Sequence, residues 1–418
     1  MRDFTCTLTR EEYNGWKAIR LSNGIIDLFI VPELGGRIIQ LRLGAQEFFY
    51  VNPRHRGRVY PREENCFDAG WKNYGGSKVW PAPQGWESKE QWPGPPDAVL
   101  DGGAYRWRVV EESSHSAAVH IESLPDGYTG LTFSREIRLF ENLSAVHILH
   151  KMRNNSSRRV RWAVWQVTQQ AAISPLFVYA PARSYRQMFG DKTFESVELD
   201  AGKGLWKLKY ANQVAKFAVD AEQGWLAVLK PREQVALVET FPLFPGEPYP
   251  DGSPVAFWVN GRGTFTIPRG AIDMGDDPNG CDPFIETEIM SPLAELDPGQ
   301  EYSFPVTWRL AALPLPVVAK INSCALIGEP VAVKPEGQYL RVTGAYGLFQ
   351  AGRVELTSFG RDGRLLDTLP LGDFTPLESC RIDQPIKNRD RLGKVSLRVR
   401  DSAGGLIGTI DESCLLSG

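Results

Sequence analysis

The apolar runs of this chain never grow long, and that constrains its fold more than anything else. Glycine (40 residues) and proline (30 residues) are spread through all 418 positions, so no stretch can hold a long amphipathic helix. Between the turn signals lie short runs rich in β-branched and aromatic residues. Residues 24–31 read as a buried strand ending at Pro32, and residues 37–43 resume after Gly35-Gly36, as a hairpin would. Residues 105–110, 117–123 and 131–140 follow at short spacing, with Pro125-Asp126-Gly127 as one intervening turn. Residues 146–152 and 160–168 are predicted to pair across Asn154-Asn155-Ser156-Ser157. Many short strands at this rhythm indicate a sandwich or barrel rather than βαβ units.

Two stretches break the rhythm. Residues 70–103 are dense in Gly, Pro and Trp, including Trp71, Trp80, Trp86 and Trp92. They read as a long functional loop, because so many aromatic residues argue against disorder. Residues 310–316 (Leu-Ala-Ala-Leu-Pro-Leu-Pro) read as a linker. The chain thus divides into residues 1–312, a large β unit, and residues 317–418, a small β-sandwich with hairpin turns at 361–364 and 402–405.

Several function classes are excluded on chemical grounds. A net charge of −3 offers no basic surface for nucleic acid or an anionic membrane. No stretch approaches the ~20 apolar residues of a membrane span, and the amino terminus lacks the apolar run of a signal peptide, so a cytoplasmic protein is expected. None of the six cysteines forms a Cys-x-x-Cys pair, which suits reduced thiols rather than a zinc site. No Gly-x-Gly-x-x-Gly, Walker loop, Gly-x-Ser-x-Gly elbow or His-Glu-x-x-His is present, so no nucleotide cofactor or catalytic metal is expected. His147 and His150, three apart in a strand, point to opposite faces and cannot share a metal. The acidic run Asp273, Asp276, Asp277 and Asp282 does not have EF-hand spacing.

Three segments in order resemble the galactose-mutarotase-like superfamily, which includes aldose 1-epimerases. The first is Val31-Pro32-Glu33-Leu34-Gly35-Gly36-Arg37-Ile38. The second is Tyr74-Gly75-Gly76-Ser77-Lys78-Val79-Trp80-Pro81-Ala82-Pro83-Gln84, similar to a stretch that lines the sugar cleft. The third is Phe284-Ile285-Glu286-Thr287-Glu288, followed by Leu296-Asp297-Pro298-Gly299-Gln300-Glu301-Tyr302. The resemblance covers about residues 15–312. It implies a large antiparallel β-supersandwich, followed here by the small C-terminal β-sandwich, and an all-β protein throughout. It also implies that Glu286 stands at the catalytic base position, and that Arg37, Lys78 and Gln84 lie in substrate-contacting motifs. One departure stands out: Trp165 and Gln166 occupy the central-strand position where aldose 1-epimerases keep a histidine as general acid, and neither can donate a proton as imidazole does.

The residues themselves support a site of this kind. Strand period puts Glu286 and Glu288 on one face, about 6.7 Å apart along the strand. Two such carboxylates need a cleft or basic partners, and their proximity raises one pKa, which suits an acid/base pair. The same pattern also fits a solvated sheet face. Trp80, Trp86, Trp92 and Trp165 suit packing against the C–H face of a pyranose, although tryptophans equally fill a broad sandwich core. Lys78 and Arg37 suit a carboxylate or phosphate on a sugar. His55, in the loop near the first motif, is the candidate substitute general acid. The expected partner is a mono- or oligosaccharide, with homo-oligomers possible through the C-terminal unit. The expected activity is epimerisation, glycoside cleavage or β-elimination. The alternative is a carbohydrate-binding protein that has lost the mutarotase acid.

Overall fold

The computed structural model describes residues 4–65, 69–173, 175–190, 194, 196–268, 270–277, 279–315, 317–388 and 392–415. Among these, regular structure is strand plus a few single-turn 3₁₀ segments, and no helix is long and apolar enough to cross a membrane. The glycine and proline spacing accounts for this, because it leaves runs of strand length and nothing longer.

Two antiparallel sheets face each other. In the first, the strands run Thr7–Tyr13, Trp16–Ser22, Ile26–Val31, Arg37–Leu43, Ser77–Ala82, Val160–Ala171, Phe284–Met290, Val255–Val259 and Ala215–Ala221. In the second they run Arg106–Glu112, Ser116–Glu122, Leu131–Phe140, Ala145–Asn154, Glu301–Ala312, Val235–Thr240 and Trp225–Lys230, with Leu205–Lys209 and Val197–Asp200 beyond. The Phe177–Gly190 strand joins the two. Its first residues pair with the second sheet and its later ones, through register shifts, with Ala215–Ala221 of the first. Such shifts bend a strand enough to let it change sheets. One continuous apolar core lies between the sheets, from Leu21, Leu28 and Leu41 on one side to Ile137, Ile148 and Trp308 on the other.

Three expectations from the sequence give way here. Strands Ala145–Asn154 and Val160–Ala171 do not form a hairpin. The first pairs with Leu131–Phe140 and Glu301–Ala312, the second with Ser77–Ala82 and Phe284–Met290. Asn154 is fully buried and caps the crossover, with its amide donating to the carbonyls of Arg158 and Leu296. Residues 70–103 are not loop throughout, since Ser77–Ala82 is a fully buried strand inside them. Its prolines hid it. Pro81 is tolerated because beyond Ser77 only one side of this strand is paired. The supposed linker begins inside a strand: residues 310–312 pair with Val235–Thr240, and Leu313 is buried.

The remaining chain builds two four-stranded sheets, one from Lys320–Ile321, Ala325–Glu336, Tyr339–Leu348 and Cys380–Lys387, the other from Leu365–Phe374, Gly352–Gly360, Leu392–Arg400 and Leu406–Cys414. They enclose their own apolar cluster around Val342, Tyr346, Leu356 and Leu397. A separate cluster, with Leu313, Val318, Leu326 and Phe349 against Trp225, Leu229 and Val238, packs them onto the second large sheet.

Candidate functional site

In an antiparallel sheet, residues directly opposite each other share a face, so the register fixes which side chains meet. One row across the first sheet runs Lys216, Trp258, Glu286 and Gln169, and the next runs Ala256, Glu288, Val167 and Lys78. The third places Met290, Trp165 and Trp80 together. Glu286 and Glu288 do share this outer face, and each takes a lysine from the other's row. Lys78 Nζ lies 3.0 Å from Glu286 Oε1 and Lys216 Nζ lies 2.9 Å from Glu288 Oε2. Val167 and Ala256, lying between, are short enough to let the two stems cross diagonally.

The two glutamates live in different surroundings. Glu288 is 1% exposed and also accepts from Trp165 Nε1 at 3.0 Å. Burial raises its pKa against the pull of Lys216. Glu286 is 12% exposed and accepts from Gln169 Nε2 at 2.8 Å. Both of its donors bind Oε1, and Oε2 accepts no hydrogen bond among the described residues. Burial lowers the pKa of Lys78 even with Glu286 beside it. The Lys78 ammonium sits over the rings of Trp80 (4.5 Å) and Trp71 (5.2 Å), and Lys216 over Trp165 (5.1 Å). Such cation–π contacts strengthen as water is excluded.

The tryptophans form one cluster. Trp80 lies 5.2 Å from Trp92, 5.6 Å from Trp165 and 6.2 Å from Trp71. Trp92 is fully buried, and its indole N–H donates to Asp97 at 3.0 Å, so it supports the wall from behind rather than meeting a ligand. Trp80 and Trp165 keep only a sliver of surface. Trp71, 37% exposed, is the open member, and its N–H is anchored on Asp101 at 2.8 Å. Gln84 is exposed and Trp86 half-buried, both on the loop after Ala82.

Three residues expected at the site lie elsewhere. Arg37 is fully buried, with its guanidinium given to Asp101 and to the Gly75 carbonyl, so no charge remains for a sugar carboxylate. It braces the loop that carries Trp71. Gln166 points into the space between the sheets, because neighbours on a strand take opposite faces and Trp165 has the outer one. His55 meets Tyr60, with Nδ1 2.9 Å from the hydroxyl, and packs on Tyr74. Burial, then Arg54 and Lys72, lowers its pKa, which makes it a poor proton donor at neutral pH. Two backbone positions hold the wall in place: Gly75 (φ 95°) and Gly35 (φ 63°), where a Cβ would come within 2.1 Å of the Tyr50 carbonyl oxygen and 2.2 Å of that of Asp101. No side chain fits either position.

Behind the face lies a polar chain that the sequence did not reveal. Gln166 Nε2 donates to Glu239 Oε2 (2.7 Å), Thr287 donates to Glu239 Oε1 (2.6 Å), and Gln166 Oε1 meets His150 Nε2 at 2.9 Å. Burial raises Glu239 to about 7, and burial with the Arg135 charge lowers His150 to about 3. Gln169, Lys216 and Trp258 were not singled out either, and Trp71 was named only as one tryptophan of the long aromatic loop. Lys216 and Trp258 sit in ordinary apolar strand runs, and only the pairing order places them beside Glu286.

Residues 17–311 match the model of a family described as a domain of unknown function (DUF4380). The chain belongs to this family. Every residue of the outer face, from Lys78 to Met290, falls within the DUF4380 region. A search of curated proteins finds no match. Among solved structures, the chain is similar to a TPR-domain containing protein from Parabacteroides distasonis (13% identity, TM-score 0.46, 77% of this chain), and it spans 56% of that protein's length. It is similar to a galactose mutarotase-like protein from Clostridium acetobutylicum (12% identity, TM-score 0.46, 74% of this chain and 99% of that one). It is also similar to a putative aldose 1-epimerase from Escherichia coli K12 (13%, TM-score 0.43, 74% and 100%). At such identities the likeness is one of fold alone.

Proposed function

We propose that this protein acts on a carbohydrate at or near the anomeric or ring carbon, with Glu286 as the general base or acid. The observation that carries this reading is the state of Glu286: a part-exposed carboxylate on an aromatic face, with one oxygen fixed by Lys78 and Gln169 and the other without a hydrogen bond among the described residues. Two charge-assisted hydrogen bonds orient the group, and the free oxygen can take a hydroxyl proton. Trp71 supplies open indole surface for the C–H face of a pyranose. Lys78, whose pKa burial lowers, is the neighbour best suited to give a proton to the departing or ring oxygen of the sugar as Glu286 takes one. Glu288, fully buried and paired, holds Trp165 and Lys216 in position instead.

A second reading is a carbohydrate-binding protein without turnover. It is favoured by the absence of an imidazole from this face among the described residues and by the tight pairing of Glu286.

Proton NMR of the purified protein with a panel of free sugars and oligosaccharides tests both. Exchange between anomers, new reducing ends or new alkene protons, each lost in Glu286→Gln with sugar binding retained, supports catalysis and names the reaction. Line broadening with no chemical change in any sugar defeats the catalytic reading and leaves the binding one.

A further inference from the structure

We infer that the sugar-binding face at Glu286 continues past Trp258 into a second subsite, and that its ligand is an uncharged saccharide of at least two units. This rests on Glu286 facing the sugar, as proposed above. Trp258 is the direct cross-strand neighbour of Glu286, so the two side chains rise from the same face one strand apart, about 4.8 Å. The Trp258 indole is half-buried, and its N–H is turned to Asn260 at 3.4 Å. On its far side the ring meets Phe265 edge-on at 5.0 Å, and Phe265 meets Phe189 at 5.9 Å. Both are half-buried as well. Phe265 comes from the Thr264–Ile267 strand, which pairs with Gly270–Asp273 as a hairpin outside the two large sheets. The aromatic strip, ending at Phe189 three strands away, therefore extends roughly 14 Å from the Glu286 strand, on the side opposite the Trp71–Trp80 wall. That places it under a ring other than the one at the carboxylate.

Charge decides what kind of ring. Lys78 is matched by Glu286 and Lys216 by Glu288, both buried pairs, and the more exposed Arg54 by Asp282 just before the Phe284–Met290 strand. Arg186, exposed nearby, donates to the Asp251 carbonyl. A phosphate or uronate held by Lys78 or Lys216 would have to break that lysine's pair and leave a buried carboxylate without its partner, which is costly. A neutral sugar needs only apolar ring faces and hydrogen bonds.

Calorimetric titration of the full chain tests this. The probes are mono-, di- and trisaccharides of glucose, galactose and xylose, with glucuronate and glucose 6-phosphate alongside. The expected result is at least one neutral series in which the disaccharide binds about tenfold tighter than its monosaccharide, a gain of about 1.4 kcal/mol. Trp258→Ala should bring that ratio close to one, and Trp258→Phe should keep most of it. Equal affinity at every length, an unchanged ratio in Trp258→Ala, or tighter binding of the acidic sugars overturns the inference while leaving Glu286 as a sugar site. Failure of every sugar to bind overturns the reading of the Glu286 face itself, and the subsite with it.

Discussion

Glu239 is fully buried between the sheets, accepts from the neutral donors Gln166 and Thr287, and is lifted by burial from 4.5 to about 7. Replacing it by glutamine keeps the shape and removes the titration. A carboxyl with a raised folded-state pKa stabilises the protein below its unfolded value, and that contribution is lost as pH rises through the folded one. Between pH 4.5 and 7 the unfolded chain has released this proton and the folded one has not. The shift corresponds to about 3 kcal/mol, or about 1.4 kcal/mol per pH unit. His150 works in the opposite sense. Its value falls from 6.5 to about 3, so stability is lost as pH drops below 6.5. The two slopes nearly cancel between pH 4.5 and 6.5, and the wild-type curve alone hides both. The difference between wild type and Glu239→Gln isolates the glutamate. Urea unfolding at pH 4.5, 5.5, 6.5 and 7.5, followed by tryptophan fluorescence, should show the stability of wild type relative to the variant falling by about 3 kcal/mol across the series. A difference that stays flat within ~0.5 kcal/mol would refute the claim that Glu239 is desolvated and held protonated.

Two further outcomes follow from the wall that positions Trp71 and Lys78. Arg37→Met strands the buried Asp101 carboxylate and should cost about 3–5 kcal/mol in denaturant unfolding, with a substantial part recovered in Arg37→Met/Asp101→Asn. A loss below ~1 kcal/mol, or no recovery, would show that the pair does not brace the loop. Gly75→Ala adds a Cβ 2.1 Å from the Tyr50 carbonyl oxygen at φ 95° and should cost more than about 3 kcal/mol. Gly299→Ala, at φ 83° with open space around it, should cost only about 1–2 kcal/mol. Similar melting temperatures for the two would contradict the close backbone approach at Gly75.

The site was legible in part. Glu286 and Glu288 share a face because strand period is two and nothing interrupts Phe284–Met290. Lys78 was found through the Gly75-Gly76 motif, though as an anion binder, and it turned out to be the partner of Glu286. Gln166 and Trp165 could not both lie on the outer face, and period alone says only that they differ. Which of the two faces outward depends on which side the second sheet covers. His55 lay close to the first motif in sequence and was drawn away by Tyr60 and Tyr74.

What the sequence determined by itself is the element type and the local parity. Turn residues cap the length of each run, and alternation assigns side chains to one face or the other, because both are short-range effects of sterics and hydrogen bonding. Only the tertiary structure decided which strands became neighbours. Lys216, Trp258, Glu286 and Gln169 come from four strands spread over more than a hundred residues, and they form one row solely because of pairing order. That order minimises exposed apolar area and unpaired backbone over the whole sandwich at once. No local stretch of sequence carries it.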